Sequence, residues 1–113
     1  MATLTVKTLT LSDADPAVVA AAGGGDEVAA DTDTALLLDN QDVSSTNVTL
    51  TSQVTAAPGI TSADVVIAVP ASEQRVFSFK NSGVLDRLKD GNGKVQITYS
   101  SVTSLSIAAF KLG

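Results

Sequence analysis

The sequence has no histidine, no cysteine and no tryptophan. It has one tyrosine, one methionine and three phenylalanines in 113 residues. Without Cys or His there is no thiolate or imidazole ligand for zinc, no haem ligation by His, no Ser-His-Asp triad and no Cys-His dyad. Without Cys there is no disulfide scaffold, and an intracellular protein and a virion protein fit equally well. Aromatic residues make up 4% of the chain. That leaves little to stack against a sugar ring, which argues against a glycosidase cleft or a carbohydrate-binding module. Ser and Thr are abundant, but none stands in a nucleophile motif with a base. Gly23-Gly24-Gly25 lacks the Gly-Lys-Ser/Thr ending of a phosphate loop and reads as a hinge or a helix stop. The residues therefore predict no enzyme, no cofactor and no metal centre.

Charge is also scarce. Charged residues make up 17% of the chain, below the roughly 25% of average globular chains. Small hydroxyls fill the gap, which suits either extensive protein contact or an ordinary β-sandwich surface. The net charge is −5 and the pI is near 4.3. A free-standing nucleic-acid binder carries a basic face, so none is expected here. No apolar run approaches the ~18 residues of a membrane span, and Met1 to Leu11 lacks the apolar core of a signal peptide. Asn47-Val48-Thr49 matches a glycosylation sequon, which without a secretory signal reads as chance. The charge is uneven along the chain. Residues 1–64 carry a net of −8 and residues 65–113 a net of +3. Either interleaved strands mix the halves in space, or the asymmetry serves head-to-tail attraction or steering onto a larger surface.

What is present is apolar patterning. Mean hydropathy is +0.28, and Val/Ile/Leu runs recur, which excludes a disordered chain. The length fits one domain over 1–113, with about 65% of the unfolded surface buried on folding. Leu4 and Val6 share one strand phase and Leu9 and Leu11 the other. The shift around Lys7-Thr8 predicts a bulge that bends the first strand or moves it between sheets. Asp15, Pro16 and Ala17 to Ala22 predict a helix of two turns at most, stopped by the glycines, or else an extended Ala/Gly loop. Residues 26–33 read as an acidic loop.

Strand signals then follow at short spacing. Ala35 to Asp39 is a continuous apolar run that predicts a buried strand. Val48, Leu50 and Val54 line one face of the next, and Pro58-Gly59 breaks the chain. Val65, Ile67 and Val69 alternate up to Pro70. Phe77 and Phe79 are predicted to point inward. A helical turn is possible around Val84-Leu88, and Asp90-Gly91-Asn92-Gly93 is a dense turn signal. Val95, Ile97 and Tyr99 form one face, and Leu105, Ile107 and Ala109 another, with the last strand running to about Leu112. The expectation is an all-β single sandwich of about seven strands, Ig-like or jelly-roll-like, with at most one short helix.

The candidate sites each have a plain structural reading beside them. Asp13/Asp15 and Asp31/Asp33 offer oxygens to a hard cation, or simply cap loops. Asp90 to Lys94 reads as a hairpin turn, because strand alternation follows at once and no bidentate Glu lies downstream. Arg75, Lys80, Arg87, Lys89 and Lys94 could meet an acidic partner surface, or guard hydrophobic strands against aggregation. Phe110 and Leu112 could dock on a partner, or close the core.

Five segments carry a family resemblance: TLTVKTLTLSDADP, AAAGGGDEV, ALLLDNQDVSSTNVTLT, VPASEQRVFSF and KVQITYSSVTSLSIAAFKL. Together they span most of the chain, and the chain resembles the small capsid decoration, or cement, proteins of tailed bacteriophages. The resemblance implies a structural virion protein, made in the host cytoplasm and placed on the outer capsid surface. It implies the major capsid protein as partner, bridging of adjacent shell subunits, and a homo-oligomer, with a trimer as the guess. It brings no catalytic residue, nucleic-acid partner or membrane partner. Some decoration proteins carry an extended arm, whereas Met1 to Leu11 reads as an ordered strand. The contact residues expected are Thr3, Thr5 and Lys7 on the first strand, the Ala/Gly segment, and Arg75, Lys80 and Arg87. The alternatives are a tail-associated or receptor-binding recognition module, and a small calcium-dependent enzyme or adhesin.

Overall fold

In the computed structural model the described residues are 2–10, 12, 15–53, 55–57, 60–61, 64–80 and 82–112, without the side chains of 55–57, 60–61 and 82–84. The predicted roles of Leu11, Asp13, Val54, Pro58-Gly59 and Asn81 lie outside them.

The chain changes sheets within its first nine residues. Strand β1 (Ala2–Leu4) pairs in parallel with β4 (Asp26–Val28). Strand β2 (Val6–Leu9) pairs in parallel with β12 (Leu105–Leu112) of the other sheet. The break falls at Thr5, ahead of the Lys7-Thr8 position that the phase shift suggests. The physical reason is that two facing sheets share one core. Leu4 and Val6 keep the same phase across the crossing, so no parity change marks it.

The remaining strands are β3 (Val19–Ala20), β5 (Thr34–Asn40), β6 (Thr46–Leu50), β7 (Thr55–Ala57), β8 (Ile60–Thr61), β9 (Val65–Val69), β10 (Gln74–Ser78) and β11 (Val95–Tyr99). One sheet runs β1-β4-β11-β6-β9 and the other β10-β5-β12-β2, with β3 also pairing β12 and β7-β8 forming a separate hairpin. The fold is an all-β sandwich of two mixed sheets. The expected seven strands become twelve because the N-terminal strand is split and four pieces of two or three residues (β3, β4, β7 and β8) are added. Both sheets draw strands from both halves of the chain, which mixes the acidic and basic halves in each layer.

One core lies between the sheets. It contains Val28, Leu36, Leu38, Val48, Leu50, Val69, Val95, Ile97, Leu105 and Ile107, all at most 2% exposed. Helix α1 (Ser82–Leu88) adds Leu85 and Leu88. Phe79 is buried and meets the half-buried Phe77 edge to face at 5.1 Å, a favoured aromatic geometry.

Of the two readings after Asp15, the extended one fits and the two-turn helix does not form. Asp15 does accept the Ala17 N–H at 2.9 Å, as a cap would. Ala17 then takes φ 58°, which no right-handed helix allows. Val19 and Ala20 pair with Ile107 and Ser106 instead. Residues 26–33, read as an acidic loop, contribute β4. At Asp90 to Gly93 the turn is present: the Gly93 N–H reaches the Asp90 carbonyl at 3.0 Å, and Gly93 has φ 76°. It leads from α1 into β11, and its strand partner is reduced to a single bridge, Lys89 to Val95.

Candidate interaction surface

The two sheets treat their outer faces differently. On the first sheet, register aligns Thr3, Glu27 and Gln96 across β1, β4 and β11. The Thr3 hydroxyl donates to Glu27 Oε1 at 2.9 Å, and Gln96 Nε2 donates to Glu27 Oε2 at 3.1 Å and to Asp90 Oδ2 at 2.7 Å. Lys94 Nζ lies 3.7 Å from Glu27. The Gln96 and Thr3 hydrogen bonds, with Lys94 nearby, hold the Glu27 carboxyl below its ordinary value. Backbone N–H groups of Lys94 and Asn92, with Gln96, do the same for Asp90. Thr49 and Thr98 continue this polar face on β6 and β11. Around Glu27 its polar groups are paired, while Val66 of β9, in register with Thr49, stands 58% exposed.

The second sheet differs. In β5, Thr34, Leu36, Leu38 and Asn40 are buried, and Ala35, Leu37 and Asp39 alternate to the outside. Val76 and Ala108 flank Leu37, and Ser78 and Phe110 flank Ala35. Val76 is 62% exposed and Leu112 is 79% exposed. The continuous apolar run of β5 therefore reflects apolar surface on both sides of the sheet, as in strands covered on both faces. Phe110 and Leu112 do not close the core: Phe110 stands outward in register with Ala35, and Leu112 is open to solvent.

The expected contact residues divide into groups. Thr3, Thr5 and Lys7 share a groove of about 510 Å³. It is walled by residues 3–8 together with Ala17 and Val19, and floored by Ile107, Ala108 and Ala109. It marks the place where β3 and β2 meet β12 end to end, leaving Ala108 between their ladders. Arg75 and Lys80 lie on and just after β10, both exposed. Arg75 Nη1 is held by Glu73 at 3.2 Å and by the Gln74 carbonyl at 2.7 Å. Lys80 lines a second hollow of about 360 Å³ with Asp33, Ala35, Val76, Phe110 and Lys111. Arg87 is elsewhere, in the last turn of α1. Its carbonyl accepts the Gln53 N–H at 2.8 Å, and its Nε is buried without a hydrogen-bond partner among the described residues. The three basic residues thus form no single patch.

The acidic pair at Asp31/Asp33 is a turn. Asp31 Oδ1 accepts from the Asp33 N–H at 2.9 Å and from the Thr34 hydroxyl at 3.1 Å, which lowers its pKa. Among the described residues, no three Asp, Glu, His or Cys side chains converge on a point. Among the described residues no helix is long and apolar enough to cross a membrane.

Two buried polar arrangements escaped the sequence reading. Tyr99 Oη donates to Asp26 Oδ2 at 2.5 Å, and the same oxygen accepts the Ala22 N–H at 3.2 Å. Burial and the neighbouring Asp26 push the Tyr99 phenol well above its ordinary pKa. Asn40, fully buried, bridges two turns through its amide. Neither residue belongs to a motif, and only the fold brings their partners near.

No protein-family model matches the chain, and no curated protein or solved structure matches it either.

Proposed function

We propose that the protein is a structural virion component that binds the outer surface of a tailed-phage capsid and bridges major capsid subunits. The observation that carries the interaction part is the contrast between the two sheets. One outer face is polar and paired around Glu27, with Val66 exposed on its edge strand β9, and the other is apolar around Leu37, Val76 and Phe110. A sandwich is rigid, and an apolar patch on an outer sheet face is a surface for protein contact. The sheet edges at β9 and β10 add backbone groups that can extend a neighbour's sheet. The capsid as partner rests on the resemblance carried by the five segments. Many symmetric copies would turn modest contacts into firm attachment. An acidic chain suits the outside of the shell, away from DNA.

The test is gradient sedimentation of the purified protein with expanded, undecorated capsids of its own phage. Saturable co-migration at a fixed ratio to the shell protein is the expected result and gives the copy number. Folded protein left at the top of the gradient would overturn the proposal and favour a tail-associated recognition module.

A further inference from the structure

We infer that the apolar outer face of the second sheet packs against the same face of a second copy, about a two-fold axis near Leu37. This inference takes the face that the proposal above offers for protein contact, so in the dimer attachment to a shell would fall to the sheet edges, such as β9; it does not depend on the partner being a capsid.

Three rows define the face. Ser78, Ala35 and Phe110 form one, Val76, Leu37 and Ala108 the next, and Gln74, Asp39 and Ser106 the third. Ala108 is 2% exposed, so the open part is centred on β10 and β5. Its two ends differ in charge. Lys80 and Lys111 border the Ala35–Phe110 end, together with Asp33. Asp39 stands at the other end, with one oxygen receiving the Gln41 amide at 2.6 Å. Nearby Arg75 and Glu73 neutralise each other. Lys7 of β2, in register with Phe110, extends the first row. Among the described residues one end is therefore net positive by two and the other net negative by one.

That polarity decides the occupant. An isologous interface sets each residue of a patch against its symmetry mate across the axis. An axis near Leu37 places Leu37 on Leu37 and sets the Lys80 end of each copy over Asp39 of the other. Apolar surface meets apolar surface, and two identical opposite-charge contacts form at the rim. Aligned packing of two sheets about 10 Å apart is an established geometry. The patch is small, however. Two open strands about 4.8 Å apart, over roughly 20 Å of strand, give on the order of 200 Å² of projected sheet per copy. Doubled over two copies, that lies below the roughly 1,200–2,000 Å² of specific, stable interfaces, so the dimer is weak and forms only at high concentration.

Sedimentation velocity of the full chain, from low micromolar to millimolar concentration, tests this. The expected mass rises from 11.4 kDa towards twice that value. Leu37→Lys and, separately, Val76→Lys should hold the chain at the monomer mass, with circular dichroism and the urea midpoint reporting that each still folds. Asp39→Lys and Lys80→Glu should each weaken dimerisation about tenfold, and the double variant should restore most of it. A chain that stays monomeric at every concentration would overturn the inference, and so would a trimer. A dimer indifferent to both lysine variants would place the contact elsewhere. If the native chain is monomeric yet Leu37→Lys abolishes capsid binding, the face belongs to the shell and not to a second copy, while the capsid reading stands.

Discussion

The Asn40 side chain makes four hydrogen bonds to the backbone. It is fully buried at the end of β5. Its Nδ2 donates to the carbonyls of Ser44, Val69 and Pro70 at 2.9, 3.1 and 3.2 Å, and its Oδ1 accepts the Asp42 N–H at 3.0 Å. One amide thus ties the turn after β5 to the corner where the chain passes from β9 towards β10. Removing it strands buried carbonyls, which cost about 1–3 kcal/mol when unsatisfied. Asn40→Ala should therefore lose about 2–3 kcal/mol in urea titration, and Asn40→Asp should give no rescue, because a carboxylate cannot donate. A loss under about 0.5 kcal/mol, typical of surface sites, would contradict this role. Tyr99 poses a similar case. Tyr99→Phe leaves the buried Asp26 with the Ala22 N–H alone on the oxygen the two now share, and should cost about 1–3 kcal/mol by the same measurement.

At the scale of elements, β5 and the segment before β4 show what periodicity can and cannot reveal. Leu36 and Leu37 are neighbours on opposite faces, one fully buried and the other half-buried. Leu36→Ala should cost about 2–5 kcal/mol, as core truncations do. Leu37→Ser should change the stability of the monomer by less than about 1 kcal/mol. The strands were legible because burial imposes a period of two, and Val48/Leu50, Val95/Ile97 and Leu105/Ile107 all face the core as their spacing implied. The split first strand was half legible. The phase shift at Lys7-Thr8 suggested a bend or a sheet change, but the crossing at Thr5 carries no parity change, and its position depends on partners distant in sequence, Asp26–Val28 for one half and Ala109–Leu112 for the other. The helix after Asp15 misled because capping signals are local, whereas the outcome rests on pairing with β12. Of the expected site, Thr3, Thr5 and Lys7 do converge on one groove. The outward role of Leu37 was hidden inside a run that a buried strand also explains. Ala17 offers a test by sign. In a helix, Ala17→Gly would cost about 1 kcal/mol. At φ 58° glycine relieves left-handed strain, so thermal unfolding should show a gain of about 0.5–1 kcal/mol.

For the whole molecule, acid is the condition that unites local and global electrostatics. Glu27, Asp31 and Asp90 each have a folded-state pKa below the ordinary values of 4.5, 3.8 and 3.8. A depressed folded pKa favours the native state fully above the ordinary value, and the contribution fades as pH falls through the folded value. Stability from these groups is therefore intact at pH 7, begins to fade near the ordinary carboxylate values and is lost as pH falls through each lower folded value. Net charge acts in the same direction. Twelve acids balance seven bases to −5 at neutral pH, and protonating the acids leaves the bases to repel one another. The urea midpoint should hold steady between pH 7 and 5 and fall steeply from pH 4.5 to 3. The two causes separate by salt. Added salt at pH 3 screens the diffuse repulsion of exposed charges but cannot restore hydrogen bonds that need a carboxylate, so recovery should be partial. Glu27→Gln should lower stability at pH 7 and shrink the acid drop, because the carboxylate that accepts from Thr3 and Gln96 is then absent at every pH. A midpoint that stays flat to pH 3, or that salt restores in full, would show that the paired carboxylates of the polar face contribute nothing to stability.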